Sequence, residues 1–153
     1  MDATALARSL LDRVPAHRTA GLEVLRAVNG VGVVAVPAAP ALANVIGSLH
    51  SGGLITLVDA AGLAAIISAA PTGDAFRGTV PLGAAATLQF LAPARGHLVA
   101  TCRLDPDARE VLAEVYVGVA SRARVTTTAE VTDDTGAVVC RGGFDWSIRR
   151  PAA

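Results

Sequence analysis

The residues best suited to chemistry lie in one stretch, Asn44 to Ala70, which reads NVIGSLHSGGLITLVDAAGLAAIISAA. It carries one acid, Asp59, inside an otherwise apolar run. Leaving an ionised side chain in apolar surroundings without a partner is costly. Two explanations stand side by side. Asp59 could pair with an arginine, or it could be a carboxylate held dry for use as a base or nucleophile. Its sequence neighbours offer little to bind it. Thr56, one turn earlier, is the only nearby hydroxyl, and Gly62 and Leu63 follow one turn later. Small residues beside the acid leave room for another group to approach.

Directly before the apolar run stands GSLHSGG, Gly47 to Gly53. Glycines at a helix start let the backbone bend and a ligand come close. The first-turn N–H groups lack intrahelical acceptors, and the helix dipole favours negative charge there. Such a turn suits a developing oxyanion. The simpler reading is a flexible loop in which His50 is a packed, hydrogen-bonded side chain. Ser51 and Asp59 are eight residues apart, which on one helix is about 12 Å. A reacting carbonyl needs its donors and its base each within about 3 Å. If both ends serve one reaction, the helix start of one chain must meet the helix middle of another, so the spacing predicts a dimer.

The elements that would hold these residues can be read along the chain. Residues 4–14 suggest a helix stopped by Pro15. GLEVLRAVNGVGVVAVPA reads as two strands joined at Asn29-Gly30, a tight-hairpin dipeptide. Pro37, Pro40 and their small neighbours make a loop. Leu54 to about Ala69 is a helix, apolar nearly all round and therefore central. Pro71, Gly73 and Gly78 end it in a loop. LGAAATLQFLAPA and GHLVATCRL are strands separated by Pro93 and Gly96. Asp105-Pro106 opens a short helix over about 106–114. ARVTTTAEVTDDTGAVVCRGGFDWSIR gives two alternating strands around Asp133–Gly136. The order predicts an α+β domain, one antiparallel sheet wrapped around one helix, spanning residues 1–153.

Composition narrows the function. The net charge is zero and the pI about 6.8, so no basic field is expected to attract nucleic acid or an anionic membrane. All 13 basic residues are arginine. Lysine Schiff-base chemistry and a phosphate-loop lysine are thereby excluded, and any phosphate contact falls to arginine, hydroxyls or backbone N–H groups. Cys102 and Cys140 suit no metal spacing and read as buried thiols of a reduced, cytoplasmic protein. The N-terminus, MDATALARSLLDRVP, has the pattern of an amphipathic helix rather than a signal peptide. Leu54–Ala70 approaches the about 20 residues of a membrane span, but the insertion penalty of Asp59 argues against one. No membrane, metal or cofactor is expected.

At this point the sequence resembles a family. Asn44-x2-Gly47-x2-His50-Ser51-Gly52-Gly53-x5-Asp59 is similar to the signature of hotdog-fold acyl-CoA thioesterases of the phenylacetate-pathway (PaaI-like) type. That signature runs Asn, Gly, His-Gly-Gly, then an acid nine residues after the His. GLEVLRAVNGVGVVAVPAAPALAN resembles the family's opening hairpin, LQFLAPARGHLVATCRL its FLRPA-x-G strand pair, and AEVTDDTGAVVCRGG its closing hairpin. The resemblance implies a hotdog fold, a curved antiparallel sheet around a long central helix, in homodimers or tetramers. It implies an acyl-CoA substrate, with coenzyme A entering as part of that substrate rather than as a cofactor. Asp59 would be general base or nucleophile, and the N–H groups of Ser51 and Gly52 would hold the oxyanion. Asn44 would position thioester or water, and His50 would support the turn. Gly53, Thr56, Phe90 and Arg95 are the positions expected to meet the substrate, Arg95 through a phosphate with Arg122 and Arg124 behind it. Leu54 and Leu57 would line the acyl pocket with Phe90.

Two positions depart from the pattern. Ser51 stands where the family has the first glycine of His-Gly-Gly. Gly83 stands where a Ser or Thr often helps to place the water, and Thr87 is expected on the same strand face but about 13 Å further along. These departures leave a second reading open, a non-catalytic module that binds an acyl-thioester or other ligand. A dehydratase of the hotdog group usually relies on a differently placed histidine with its acid, and no such pair is evident in the sequence.

Overall fold

A computed structural model of the chain describes residues 1–37 and 41–152; the expected loop residue Pro40 lies outside them. Helices α1 (Thr4–Leu11) and α2 (Pro15–Ala20) precede the hairpin β1 (Glu23–Val28) and β2 (Val31–Val36). The long helix α3 (Ser51–Ala69) and short α4 (Gly73–Arg77) follow. The chain then runs β3 (Val80–Phe90), β4 (Leu98–Arg103), α5 (Pro106–Tyr116), β5 (Arg122–Thr132) and β6 (Val138–Arg149). All strand pairs are antiparallel, in the order β1-β2-β4-β5-β6-β3. The α+β sheet around a central helix is the predicted fold.

Local chemistry explains most boundaries. Asn29 (φ 48°) and Gly30 (φ 78°) both adopt left-handed backbone, as the two-residue hairpin turn requires. Pro15 does more than stop α1. It opens α2, because its fixed φ suits a first helical turn and its missing N–H would have no partner there. Residues 71–78 contain α4 rather than loop alone, since the Thr72 hydroxyl accepts the Ala75 N–H at 3.1 Å and starts a turn. Asp105 occupies the N-cap of α5, but its side chain makes no capping bond. That helix runs two residues beyond the expected end.

Helix α3 begins at Ser51, so Gly52 and Gly53 lie inside its first turn. By length and apolarity it could cross a membrane, but 67% of its most apolar window is buried in this fold. It is the core helix. Small residues let it lie close to the sheet. A Cβ on Gly32 of β2 would fall 2.2 Å from the Ala61 carbonyl, and one on Gly62 would fall 2.6 Å from Thr127 Oγ1. Around these contacts Leu57, Val58, Ile66 and Ile67 are almost completely buried, each contributing about 1.5–3 kcal/mol. Polar bonds fix the helix lengthwise. Ser68 Oγ accepts the Gly30 N–H at 2.9 Å, and the Tyr116 hydroxyl donates to the Ile66 carbonyl at 2.7 Å. Cys102 and Cys140 are free and buried.

Candidate active site

Four of the expected site residues line one groove. Asn44, His50, Ser51 and Phe90 surround a depression of about 530 Å³, with Leu54 in its wall and Leu91 at its rim. The loop that presents them is tied down by its own backbone. Asn44 Oδ1 accepts the N–H groups of Ile46 (3.1 Å) and Ser48 (3.0 Å). With the oxygen committed twice, the amide NH2 is the end left for a ligand. Ser48 Oγ accepts the Ala94 N–H at 2.8 Å, and the Leu49 N–H donates to the Ala94 carbonyl. Arg95 donates to the Ile46 carbonyl at 3.2 Å, which sets its guanidinium on the same loop. Arg124 lies away from this groove, beside Thr126 and Asp145 on the sheet.

The start of α3 is more committed than its sequence suggests. His50 is the N-cap residue, and its Nδ1 accepts the Gly52 N–H at 3.0 Å. Gly52, one of the two expected oxyanion donors, is therefore engaged by the chain's own imidazole. The Gly53 N–H goes to the His50 carbonyl at 2.8 Å. The Ser51 N–H makes no hydrogen bond among the described residues, so it is the open donor of this turn. Gly53 does not open space for a substrate: a Cβ there would meet Leu49 Cδ1 at 2.5 Å. The Thr56 hydroxyl donates to the Gly52 carbonyl at 2.8 Å. Leu57 is fully buried core, and Leu54 nearly so.

Asp59 has a partner. His17 Nε2 lies 3.1 Å from its Oδ2, and the side chains are 4% and 27% exposed. The chain's own α2 therefore supplies what the neighbours in sequence do not, and the pair that the sequence hides is a histidine with an acid. His17 Nδ1 lies 3.2 Å from the Leu11 carbonyl. Nothing in the spacing marks His17, which is 42 residues from Asp59. The room beside Asp59 at Gly62 is likewise filled from within, by Thr127 and Trp146. Thr127 Oγ1 in turn accepts the Trp146 indole N–H at 2.8 Å.

One stripe of α3 remains open. Ser51 and Ile55 are exposed, and Gly52, Thr56, Asp59 and Leu63 are half-covered. Every other position on the helix is buried apart from half-covered Ala69. Asp59 thus faces outward along the same stripe as Ser51, about 12 Å further on. Within one chain the groove and the carboxylate are not brought together. Among the described residues no group of acids, histidines and cysteines could hold a metal ion.

Gly83 pairs with Trp146 across β3 and β6. The expectation that Thr87 shares its face is corrected by the register. A bulge between Gly83 and Ala85 places Thr87 opposite Gly143, while Ala86 takes the position opposite Phe144. One inserted residue shifts the alternation, so Gly83 faces the side of Phe144 and Trp146, and Thr87 faces away.

Comparison with known proteins agrees with this architecture. A Pseudomonas aeruginosa protein described as of unknown function and a probable thioesterase is 26% identical to this chain. The match covers 97% of this chain and 96% of that one, with a TM-score of 0.78. A protein of unknown function from Chlorobaculum tepidum gives a TM-score of 0.79 at 13% identity, over 97% and 95% of the two chains. The E. coli PaaI protein, from the phenylacetic acid degradation operon, gives 0.67 at 18% identity, over 96% and 91%. These likenesses establish the hotdog fold. No curated protein sequence matches the chain. The profile of the family described as a domain of unknown function, DUF4442, matches residues 3–148. A domain whose central helix, helix-start groove and sheet up to Ile148 fall within that match is a member of the DUF4442 family.

Proposed function

We propose that this protein is an acyl-CoA thioesterase that works as a dimer, the α3 start of one chain meeting Asp59 of the other. The observation that carries the reading is Asp59 itself, a partly exposed carboxylate on the one open stripe of a buried apolar helix. The hotdog fold and the 26% identical neighbour described as a probable thioesterase support the same class of reaction. Asp59 accepts a proton from water as the water oxygen bonds to the thioester carbonyl carbon. The oxyanion that forms is held by the Ser51 N–H and the positive end of α3. The Asn44 amide NH2 orients carbonyl or water. The C–S bond then breaks, and the departing thiolate takes the proton from Asp59, leaving a free acid and CoA.

The dimer is supported by β3, an edge strand of 11 residues paired on one side only. Val80, Leu82 and Phe90 are exposed on it, and most of the remaining strand is exposed as well. An unpaired apolar edge of this length is a template for another chain.

A binding module without turnover is the second reading, favoured by the Gly52 N–H being spent on His50 and by the missing hydroxyl at Gly83. A dehydratase fits less well despite the histidine–acid pair. Elimination needs both groups on the substrate, whereas His17 is buried with both ring nitrogens facing other acceptors.

Release of CoA from short, medium, long and aryl acyl-CoAs, followed with a thiol-trapping reagent, tests the proposal. Asp59→Asn is expected to lower turnover at least about 10²-fold with the dimer intact, since an amide is a poor base. A variant as fast as the parent overturns the mechanism. Binding of CoA esters with no turnover on any of them supports the module.

A further inference from the structure

We infer that His17 is a positioning residue for Asp59, a role that rests on the hydrolase reading above. The ring lies between two acceptors, with Nδ1 3.2 Å from the Leu11 carbonyl and Nε2 3.1 Å from Asp59 Oδ2. A hydrogen on Nε2, which the neutral imidazole can carry, is all that the contact with the carboxylate needs.

This arrangement commits one carboxylate oxygen and leaves the other free. Asp59 Oδ1 has no partner among the described residues, so it is the oxygen available to a water on the open stripe of α3. The anchor is better shielded than the acid, His17 being 4% exposed against 27% for Asp59. It is also held at its far end. The carbonyl beside His17 Nδ1 belongs to Leu11, the final residue of α1, and it also accepts the Val14 N–H at 3.1 Å. Pro15 starts α2 at one side of this corner, and Gly21, with φ 71°, ends it at the other. The two short N-terminal helices thus set the direction of the carboxylate on α3.

Among the described residues no other charged group pairs with the ring. Asp12, Arg13 and Arg18, around the same corner, are exposed and form no ion pair among the described residues. Arg8 of α1 donates to the Val24 carbonyl. Glu23 and Arg26 of β1 are exposed, and Asp59 is the one charged residue of α3.

The test uses His17→Leu and His17→Gln in the full chain. His17→Leu removes the donor and is expected to lower kcat about 10²-fold with KM little changed, the scale of loss that follows misplacement of a reacting group. His17→Gln keeps an N–H near the Nε2 position and is expected to recover most of that loss. Nitrogen NMR of the His17 ring should show a hydrogen on Nε2 in the parent. If His17→Leu does not fold, the glutamine variant and the ring spectrum decide.

An active parent whose kcat is unmoved by either substitution overturns the role of His17 and leaves the hydrolase reading standing. So does a parent ring whose Nε2 carries no hydrogen. A parent without turnover on any thioester overturns the hydrolase reading and the catalytic role of His17 together, whatever the ring spectrum shows.

Discussion

One edge of the sheet is closed by β1, six residues long, with exposed Glu23 and Arg26, a register break between Val24 and Arg26, and α1 packed against it. The other edge is closed by β3, 11 residues of VPLGAAATLQF with scarcely a charge and almost no cover. Short length, charge, a bulge and a covering helix are the ways proteins discourage strand addition. The first edge uses all of them. The second has only Pro81 near its start and the bulge between Gly83 and Ala85, and it continues toward Phe90 in the wall of the candidate groove. One edge is finished within the chain, and the other is left open, as the proposed dimer requires.

The strongest way to break this contrast is to charge the open edge. Leu82→Glu combined with Ala86→Glu is expected to yield a monomer by sedimentation and to reduce turnover by at least about 10²-fold, since the proposed site takes its base and its oxyanion donor from different chains. A fully active monomer would refute the shared site. Mixing Asp59→Asn with Asn44→Ala subunits sharpens it. Each variant alone should be nearly inactive, and the re-equilibrated mixture should regain about a quarter of parental activity, half the dimers having one intact site of two.

Two glycines compare the halves of the sheet by stability. Gly32→Ala drives a methyl group into the Ala61 carbonyl and should cost about 1–3 kcal/mol in thermal or denaturant unfolding, as overpacking does. Gly83→Ser places its Cβ at an ordinary 3.5 Å from Phe144. It should leave stability within about 0.5 kcal/mol while restoring a hydroxyl whose effect on turnover can be read directly. The smallest effect is expected at the finished edge. Leu25→Glu should stay within about 0.5 kcal/mol and keep the dimer.

Local signals carried the fold a long way. Asn29-Gly30 announced its hairpin, the alternation of 122–149 its two long strands, and the apolar run after Gly53 its central helix. What stayed hidden depended on contacts between distant residues. Pro15 looks the same whether it ends one helix or begins another. The bulge beside Gly83 inverts the face of Thr87 and leaves no mark in a run of alanines. At the site, the groove residues Asn44, His50 and Ser51 were legible because they share one loop. The His17–Asp59 contact was not, because only the folding of α2 over α3 joins them. Gly53 shows the opposite failure: a glycine read as room for a substrate is room for Leu49.

The two cysteines have a practical consequence. Burial pushes the Cys102 thiol up to about 12 and raises that of Cys140 as well, and it is the thiolate that attacks a disulfide reagent. A colorimetric count of released CoA therefore has no fast protein background in the folded state. Any slow extra colour, two sulfhydryls per chain at completion, becomes a clock for opening of the sheet, recorded in the same cuvette as the reaction.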